Sequence, residues 1–198
     1  MPITVLIEDS DFPHPDNATE DGLLAIDGEL STERLLQAYS QGIFPWYSDG
    51  NPIMWWSPDP RMIVVPENYK PQKSLMQIIR KGKYTIKIDT AFREVIINCS
   101  KSERKDQEGT WITDEMIKVY TLLHHQGYAH SFETYHNNKL VGGLYGISLG
   151  KAFFGESMFH NERDTSKIAY YYLVEFCKKN GFYFIDAQQD TPHLHKLG

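Results

Sequence analysis

The sequence predicts an α+β domain, with helices packed on a largely antiparallel sheet, behind a small aromatic and proline-rich N-terminal domain. Three observations lead there. Between residues 72 and 125, apolar side chains recur at helical spacing in three segments separated by turn residues. The period then changes to strand-like from Ala129 to Ser157, interrupted at Asn137-Asn138 and Leu149-Gly150, which describes a three-stranded meander. Last, a long helical segment leads into one more short strand, so helices and strands come in blocks instead of alternating throughout. That final strand is expected beside the meander, parallel to one of its members.

Taken in order, Met1 to Ile7 suits an edge strand. The rest of the first thirty residues favours neither helix nor strand, and Asp9 to Gly22, with Pro13, Pro15 and several acids, reads as loop. Ser31 is placed to cap a helix over Thr32–Gln41 with Leu35, Leu36 and Tyr39 on its apolar stripe and Gly42 just past its end. Trp46, Trp55 and Trp56 then fall among Pro45, Pro52, Pro58 and Pro60, a rigid aromatic segment. Arg61–Val65 is a strand stopped by Pro66. Gln72–Lys81 is a helix with Leu75, Ile78 and Ile79 inward, and Tyr84–Ile88 is a strand. Asp89 is expected to cap the helix Thr90–Asn98, and Thr113 the helix that ends at His125. The long helix Thr165–Lys179 is expected to bury Ile168, Tyr172 and Phe176, before the strand Phe182–Asp186. A boundary near residue 62 separates a small domain (1–62) from the main one (63–198).

Composition narrows the function. With 198 residues and 41% hydrophobic content the chain can bury a real core. Its 20 basic and 26 acidic side chains leave a net charge of −6, which argues against a protein that coats nucleic acid non-specifically but leaves room for a local basic patch. Cys99 and Cys177 lie far apart and are read as reduced core cysteines. No apolar run approaches bilayer length, and the N-terminus has no signal-peptide pattern, so a cytoplasmic protein with no membrane contact is expected.

The residues that carry chemistry cluster late in the chain. On a strand, positions two apart face the same side, so Asp186 and Gln188 in F-I-D-A-Q are expected to point together. They form a proton relay or an amine-positioning pair, or else Asp186 caps a strand-end turn. Glu156, in F-F-G-E-S-M-F, puts a carboxylate into an apolar run. That requires either a positively charged substrate group or an internal salt bridge to Arg163 or Lys167. Trp111, Leu144, Phe153 and Ile185 are candidates to line an apolar pocket and equally ordinary core. Trp46, Trp55 and Trp56 could stack on a base or seal the N-terminal domain. Arg80, Lys81 and Lys83 form the best local basic cluster, for phosphates or as a solvated helix face. G-G-L-Y-G is no dinucleotide fingerprint, and His193 and His195 lack partners spaced as in a zinc site, so neither cofactor nor metal is expected.

G-L-L-A-I-D-G-E-L, Y-S-Q-G-I-F-P-W-Y and W-W-S-P-D-P-R, followed in order by E-G-T-W-I-T, G-G-L-Y-G, F-F-G-E-S-M-F and F-I-D-A-Q, resemble the bacterial leucyl/phenylalanyl-tRNA–protein transferases from about Gly22 to Gly198. The resemblance implies a small N-terminal domain joined to an acyl-CoA N-acyltransferase-like domain. It implies transfer of Leu or Phe, weakly Met, from charged tRNA to the α-amino group of an N-terminal Lys or Arg, which tags the protein for N-degron degradation. On that resemblance, Asp186 and Gln188 are the catalytic relay, Glu156 holds the peptide's amino end, and Trp111, Leu144, Phe153 and Ile185 line the side-chain pocket. The tryptophans at 46, 55 and 56 lie near the terminal adenosine, and Arg80, Lys81 and Lys83 meet tRNA phosphates. The partners are leucyl-tRNA or phenylalanyl-tRNA and a basic-ended polypeptide, and the protein is a monomer. Two features depart from the family: Q-Q-D-T-P-H-L-H-K-L-G replaces the usual His and Thr after the Gln, and the family's sequence normally continues past L-G. An acetyl-CoA-dependent N-acetyltransferase and a non-catalytic binder of basic N-termini are the competing readings; H-N-E-R-D-T-S-K has too few glycines to cradle a pyrophosphate.

Overall fold

A computed structural model describes residues 3–8, 10–102 and 110–189. Along the chain the elements are β1 (Thr4–Leu6), β2 (Leu23–Asp27), α1 (Thr32–Ser40), β3 (Phe44–Pro45), β4 (Met54–Trp56), β5 (Met62–Val64), α2 (Lys73–Arg80), β6 (Thr85–Ile88), α3 (Phe92–Ser100), α4 (Asp114–His125), β7 (Ala129–His136), β8 (Lys139–Leu149), β9 (Ala152–His160), α5 (Thr165–Lys179) and β10 (Phe184–Gln188). They form two compact units. The first holds the described residues up to Pro60 together with 110–123, and the second holds 61–102 and 124–189.

The first unit has a four-stranded sheet in the order β1-β2-β4-β3, with β1 and β2 parallel and the other pairs antiparallel. Strand β2 lies where the sequence reads as irregular. Its run Leu-Leu-Ala-Ile lacks alternation because Leu24 and Ala25 are both buried, so the strand has no polar face to betray it. Ser31 caps α1 as expected, its hydroxyl accepting from the Arg34 amide at 3.1 Å, and Gly42 beyond the helix takes φ +74°. Leu35, Tyr39, Ile43, Phe44 and Trp55 form the buried centre. The Tyr39 and Tyr120 hydroxyls meet at 2.6 Å, so most of α4 belongs here. A single cut near residue 62 therefore misses the chain's return to the first unit.

The second unit is a six-stranded sheet in the order β5-β10-β9-β8-β7-β6. The meander β7-β8-β9 is antiparallel, β10 joins β9 in parallel, and β5 closes the edge antiparallel to β10. The last strand thus sits where the sequence places it. Helices cover both faces. A Cβ on Gly142 would come within 2.6 Å of Thr165 Cβ in α5, and one on its neighbour Gly143 would lie 3.4 Å from Val95 Cγ2 in α3. Successive strand positions face opposite sides, so the two glycines let two helices approach one strand.

Three local expectations are corrected. Asp89 does not cap α3. It takes φ +58° and accepts from the Ser131 amide (2.8 Å) and His130 Nδ1 (2.7 Å), while Glu133 of β7 receives the Thr90 (3.0 Å) and Ala91 (3.1 Å) amides. In α5, Tyr172 and Phe176 are exposed; the buried ridge is Ile168, Ala169, Leu173, Val174 and Cys177, rotated by one position from the stripe read off the sequence. In α2 only Leu75 is buried, with Ile78 and Ile79 half-buried. Cys99 and Cys177 are both buried thiols with no disulfide between them, and burial pushes the Cys177 thiol up to about 12.

Candidate active site

Two strand irregularities build the site. In the β8–β9 ladder Tyr145 pairs with Ser157 and Gly146 with Gly155, so Glu156 is the extra residue of a bulge. In the β10–β5 ladder Asp186 pairs with Ile63 and Gln188 with Met62, so Ala187 is skipped, and Gln188 takes φ +64°. The β9–β10 pairing reaches Phe154 and Asp186, and the two bulges follow directly after it. Bulges re-aim side chains next to the ladder they interrupt. Here they turn Glu156 and Gln188 toward one another, with Gln188 Nε2 donating to Glu156 Oε1 at 2.8 Å.

Asp186 is 4% exposed and fully engaged. Arg61, directly before β5, grips it with Nε (2.9 Å to Oδ1) and Nη2 (2.8 Å to Oδ2), a two-pronged guanidinium–carboxylate pair. Its Oδ1 also accepts the Gln188 backbone N–H at 2.8 Å. The turn-cap reading of Asp186 is therefore present in the structure. The expected alternation of Asp186 and Gln188 is replaced by a bulge, and the carboxylate that orients the Gln188 amide belongs to Glu156. Glu156 does not use Arg163 or Lys167; both of those pair with Asp164. Because an ionised carboxylate only accepts, the Gln188 amide must present nitrogen to Glu156, which leaves its carbonyl oxygen to accept from a third group. Arg61 was read from the sequence only as the start of a strand; its ion-pair partner Asp186 lies 125 positions along the chain, too far for any local pattern to reveal it.

Leu144, Phe153 and Ile185 come together in one apolar cluster with Phe132, Tyr170 and Leu173, and Phe153 faces Ile185 across the β9–β10 ladder. Gly146 admits the Phe153 ring, since a Cβ there would stand 2.8 Å from its Cζ. Trp111 is buried in the first unit. Also in that unit, Trp55 is completely enclosed, its Nε1 donating to Asp27 O (2.9 Å) and its ring meeting Phe12 edge-on at 4.9 Å, so it offers no face to a base. Trp46 and Trp56 are partly exposed and meet edge to face at 5.5 Å, and Trp56 Nε1 donates to the Trp46 carbonyl at 2.7 Å.

Arg80, Lys81 and Lys83 are all exposed. Lys81 and Lys83 border an open surface cleft of about 430 Å³ that Arg163, Asp164 and Lys167 also line. Lys83 is braced by Glu162 at 3.2 Å, and Glu162 also receives His136 Nδ1 (2.7 Å) and the Tyr84 hydroxyl (3.0 Å). The His136 hydrogen bond, with those of Tyr84 and Lys83, holds the Glu162 carboxyl down to about 2 against partial desolvation. Among the described residues no His, Cys, Asp and Glu group is arranged to hold a metal, and no helix is long and apolar enough to cross a membrane. His193 and His195 lie outside the described residues.

Sequence comparisons place the chain among known proteins. The family model for leucyl/phenylalanyl-tRNA protein transferase matches residues 63–198, and that family's N-terminal domain matches residues 28–59. A leucyl/phenylalanyl-tRNA–protein transferase of Desulfatibacillum aliphaticivorans is 50% identical over 198 residues, covering 100% of this chain and 85% of that protein. One from Thermodesulfovibrio yellowstonii is 54% identical over 187 residues, covering 94% of this chain and 76% of its own length. Among solved structures, an aminoglycoside acetyltransferase from an uncultured soil metagenomic sample superposes with TM-score 0.43 and 17% identity, over 59% of this chain and 84% of that one. With both of its parts matched by one family and half its residues shared with that family's members, the chain belongs to the leucyl/phenylalanyl-tRNA–protein transferases and is an enzyme of that aminoacyl-transferring class.

Proposed function

We propose that the protein moves Leu or Phe, and Met weakly, from a charged tRNA to the α-amino group of a polypeptide beginning with Lys or Arg, and so marks that polypeptide for N-degron degradation. The observation that carries this reading is the Glu156–Gln188 pair: a nearly buried carboxylate holding an amide so that its carbonyl oxygen is left to receive a hydrogen from an amine. Glu156 supplies negative charge for the basic peptide end, and Gln188 accepts from the attacking α-amino group. The amine nitrogen bonds to the ester carbonyl carbon, the bond to the tRNA ribose oxygen breaks, and the proton lost by the amine ends on that oxygen. The aminoacyl ester is already activated, so alignment of the neutral amine with the carbonyl supplies most of what the reaction lacks.

The remaining assignments follow the family. Leu144, Phe153, Ile185 and Trp111 select the transferred side chain: a branch at Cβ fits a slot for leucine poorly, and one methylene is worth about 1 to 3 kcal/mol in such a pocket. The clustering of the first three supports their part, and Trp111's part rests on the family resemblance. Trp46 and Trp56, the partly exposed indoles, stack on the terminal adenosine. Arg80, Lys81 and Lys83 meet backbone phosphates. The acyl-CoA N-acyltransferase-like reading of the second unit, a division into two domains with 110–123 counted in the first, and a cytoplasmic monomer without cofactor complete the proposal.

The test mixes purified protein with phenylalanyl-tRNA or leucyl-tRNA and a peptide starting with Arg. A product heavier by one Phe or Leu residue at its N-terminus is expected. No product from either tRNA, or equal product from a peptide with a blocked amino group, overturns the proposal.

A further inference from the structure

We infer that Arg61 is a positioning residue for the transfer reaction, acting through Asp186 on Gln188. This inference deepens the function proposed above and rests on it. The chain of contacts is continuous. Arg61 holds both carboxylate oxygens of Asp186 with two nitrogens at 2.9 and 2.8 Å. The same Oδ1 that faces Arg61 Nε takes the Gln188 backbone N–H at 2.8 Å. Gln188 stands at φ +64°, a conformation that non-glycine residues seldom hold without support. Held there, it donates its side-chain amide to Glu156 at 2.8 Å.

The topology explains why Arg61 is in reach. Met62 is the ladder partner of Gln188, so Arg61 lies one residue beyond the end of the β5–β10 pairing, level with the bulge. Asp186 is 4% exposed, and a carboxylate buried that far requires a cation or several donors. Arg61 meets that requirement with a planar fork that a lysine cannot reproduce. Asp186 is thereby committed to shape: its oxygens meet a guanidinium and a main-chain amide, and the Gln188 side chain is held by Glu156. The acid acts on the reaction by fixing where the Gln188 carbonyl oxygen lies, and Arg61 by fixing the acid. Misplacement of a reacting group by about 1 Å costs on the order of 100-fold in rate.

The experiment uses the full chain with Arg61→Ala, Arg61→Lys, Asp186→Ala and the Arg61→Ala/Asp186→Ala double variant. Transfer of Phe from phenylalanyl-tRNA to an Arg-starting peptide is measured alongside the NMR signals of the Gln188 side-chain amide. In Arg61→Ala, kcat is expected to fall by about 100-fold while KM for tRNA and for peptide each stay within about twofold. Arg61→Lys recovers only part of the loss. Millimolar methylguanidine restores turnover to Arg61→Ala but not to Asp186→Ala. The double variant is no slower than Asp186→Ala, because the two residues act in series. In the parent the Gln188 amide protons exchange slowly with water, and in Arg61→Ala they exchange as exposed amides do. Wild-type kcat in Arg61→Ala, additive losses in the double variant, or an unchanged Gln188 amide in both Arg61 variants overturns the inference. If the parent transfers nothing, the proposed function fails, and the amide exchange alone then decides whether Arg61 positions Gln188.

Discussion

Glu156 and Gln188 hold each other at 2.8 Å, so a change at either releases the other's side chain. Gln188→Ala and Asp186→Ala are expected to lower transfer by about 100-fold while changing tRNA affinity little, the first by removing the acceptor and the second by releasing the bulge that presents it. Parallel turnover and filter-binding measurements separate the two effects, and losses confined to binding would assign both residues to tRNA instead. Glu156→Gln keeps the size and removes the charge. Its KM for peptides beginning with Lys or Arg is expected to rise roughly tenfold, since a charged hydrogen bond is worth about 1.5 to 3 kcal/mol. The preference for Phe and Leu as the transferred residue should stay, and a switch in that preference would place Glu156 at the side-chain pocket.

At the scale of single elements, Glu133 acts as the cap of α3 from a neighbouring strand. It is fully buried and receives the Thr90 and Ala91 amides as well as the Ser131 hydroxyl at 2.6 Å. Glu133→Ala strands these donors without water, and a loss of roughly 2 to 3 kcal/mol in urea unfolding is expected. The adjoining pair of Asp89 and His130 gives a pH dependence. The hydrogen bond to Asp89 raises His130 above the ordinary histidine range, with burial opposing it. Burial works to raise the Asp89 carboxyl, and the His130 and Ser131 hydrogen bonds outweigh it, leaving the group below the ordinary range. The histidine's share of stability is complete below its unfolded value of about 6.5 and is lost as pH rises through the raised folded value. The aspartate's share is complete above about 4 and is lost as pH falls through its lowered folded value. His130→Gln is therefore expected to lose more stability, relative to the parent, at about pH 5.5 than at about pH 9. Equal losses at both would mean that the pair is not ionised in the folded state.

Across the whole molecule the charge is −6, so attraction of tRNA depends on where the cations sit and not on their number. Lys81 and Lys83 stand on one cleft with Arg163 and Lys167, and each phosphate contact adds about 0.9 to the slope of log affinity against log salt. The Lys81→Ala/Lys83→Ala variant should bind charged tRNA with a slope smaller by about 2, and an unchanged slope would place the phosphates elsewhere. The sequence by itself determined the α+β class, the meander, the cap at Ser31 and the full extent of α5, because caps, turns and periodicity act between residues a few positions apart. It also marked Glu156 and Gln188, because an acid or amide set among apolar strand residues is costly without a purpose. Only the tertiary structure decided that Arg61 grips Asp186, 125 positions away, and that Glu133 serves the amide of Thr90, 43 positions away. The same holds for the two bulges that replace plain alternation at the site, for strand β2 with its buried neighbours, and for α4's share in the first unit. Each of these depends on strand register and long-range pairing, which no short stretch of chain encodes.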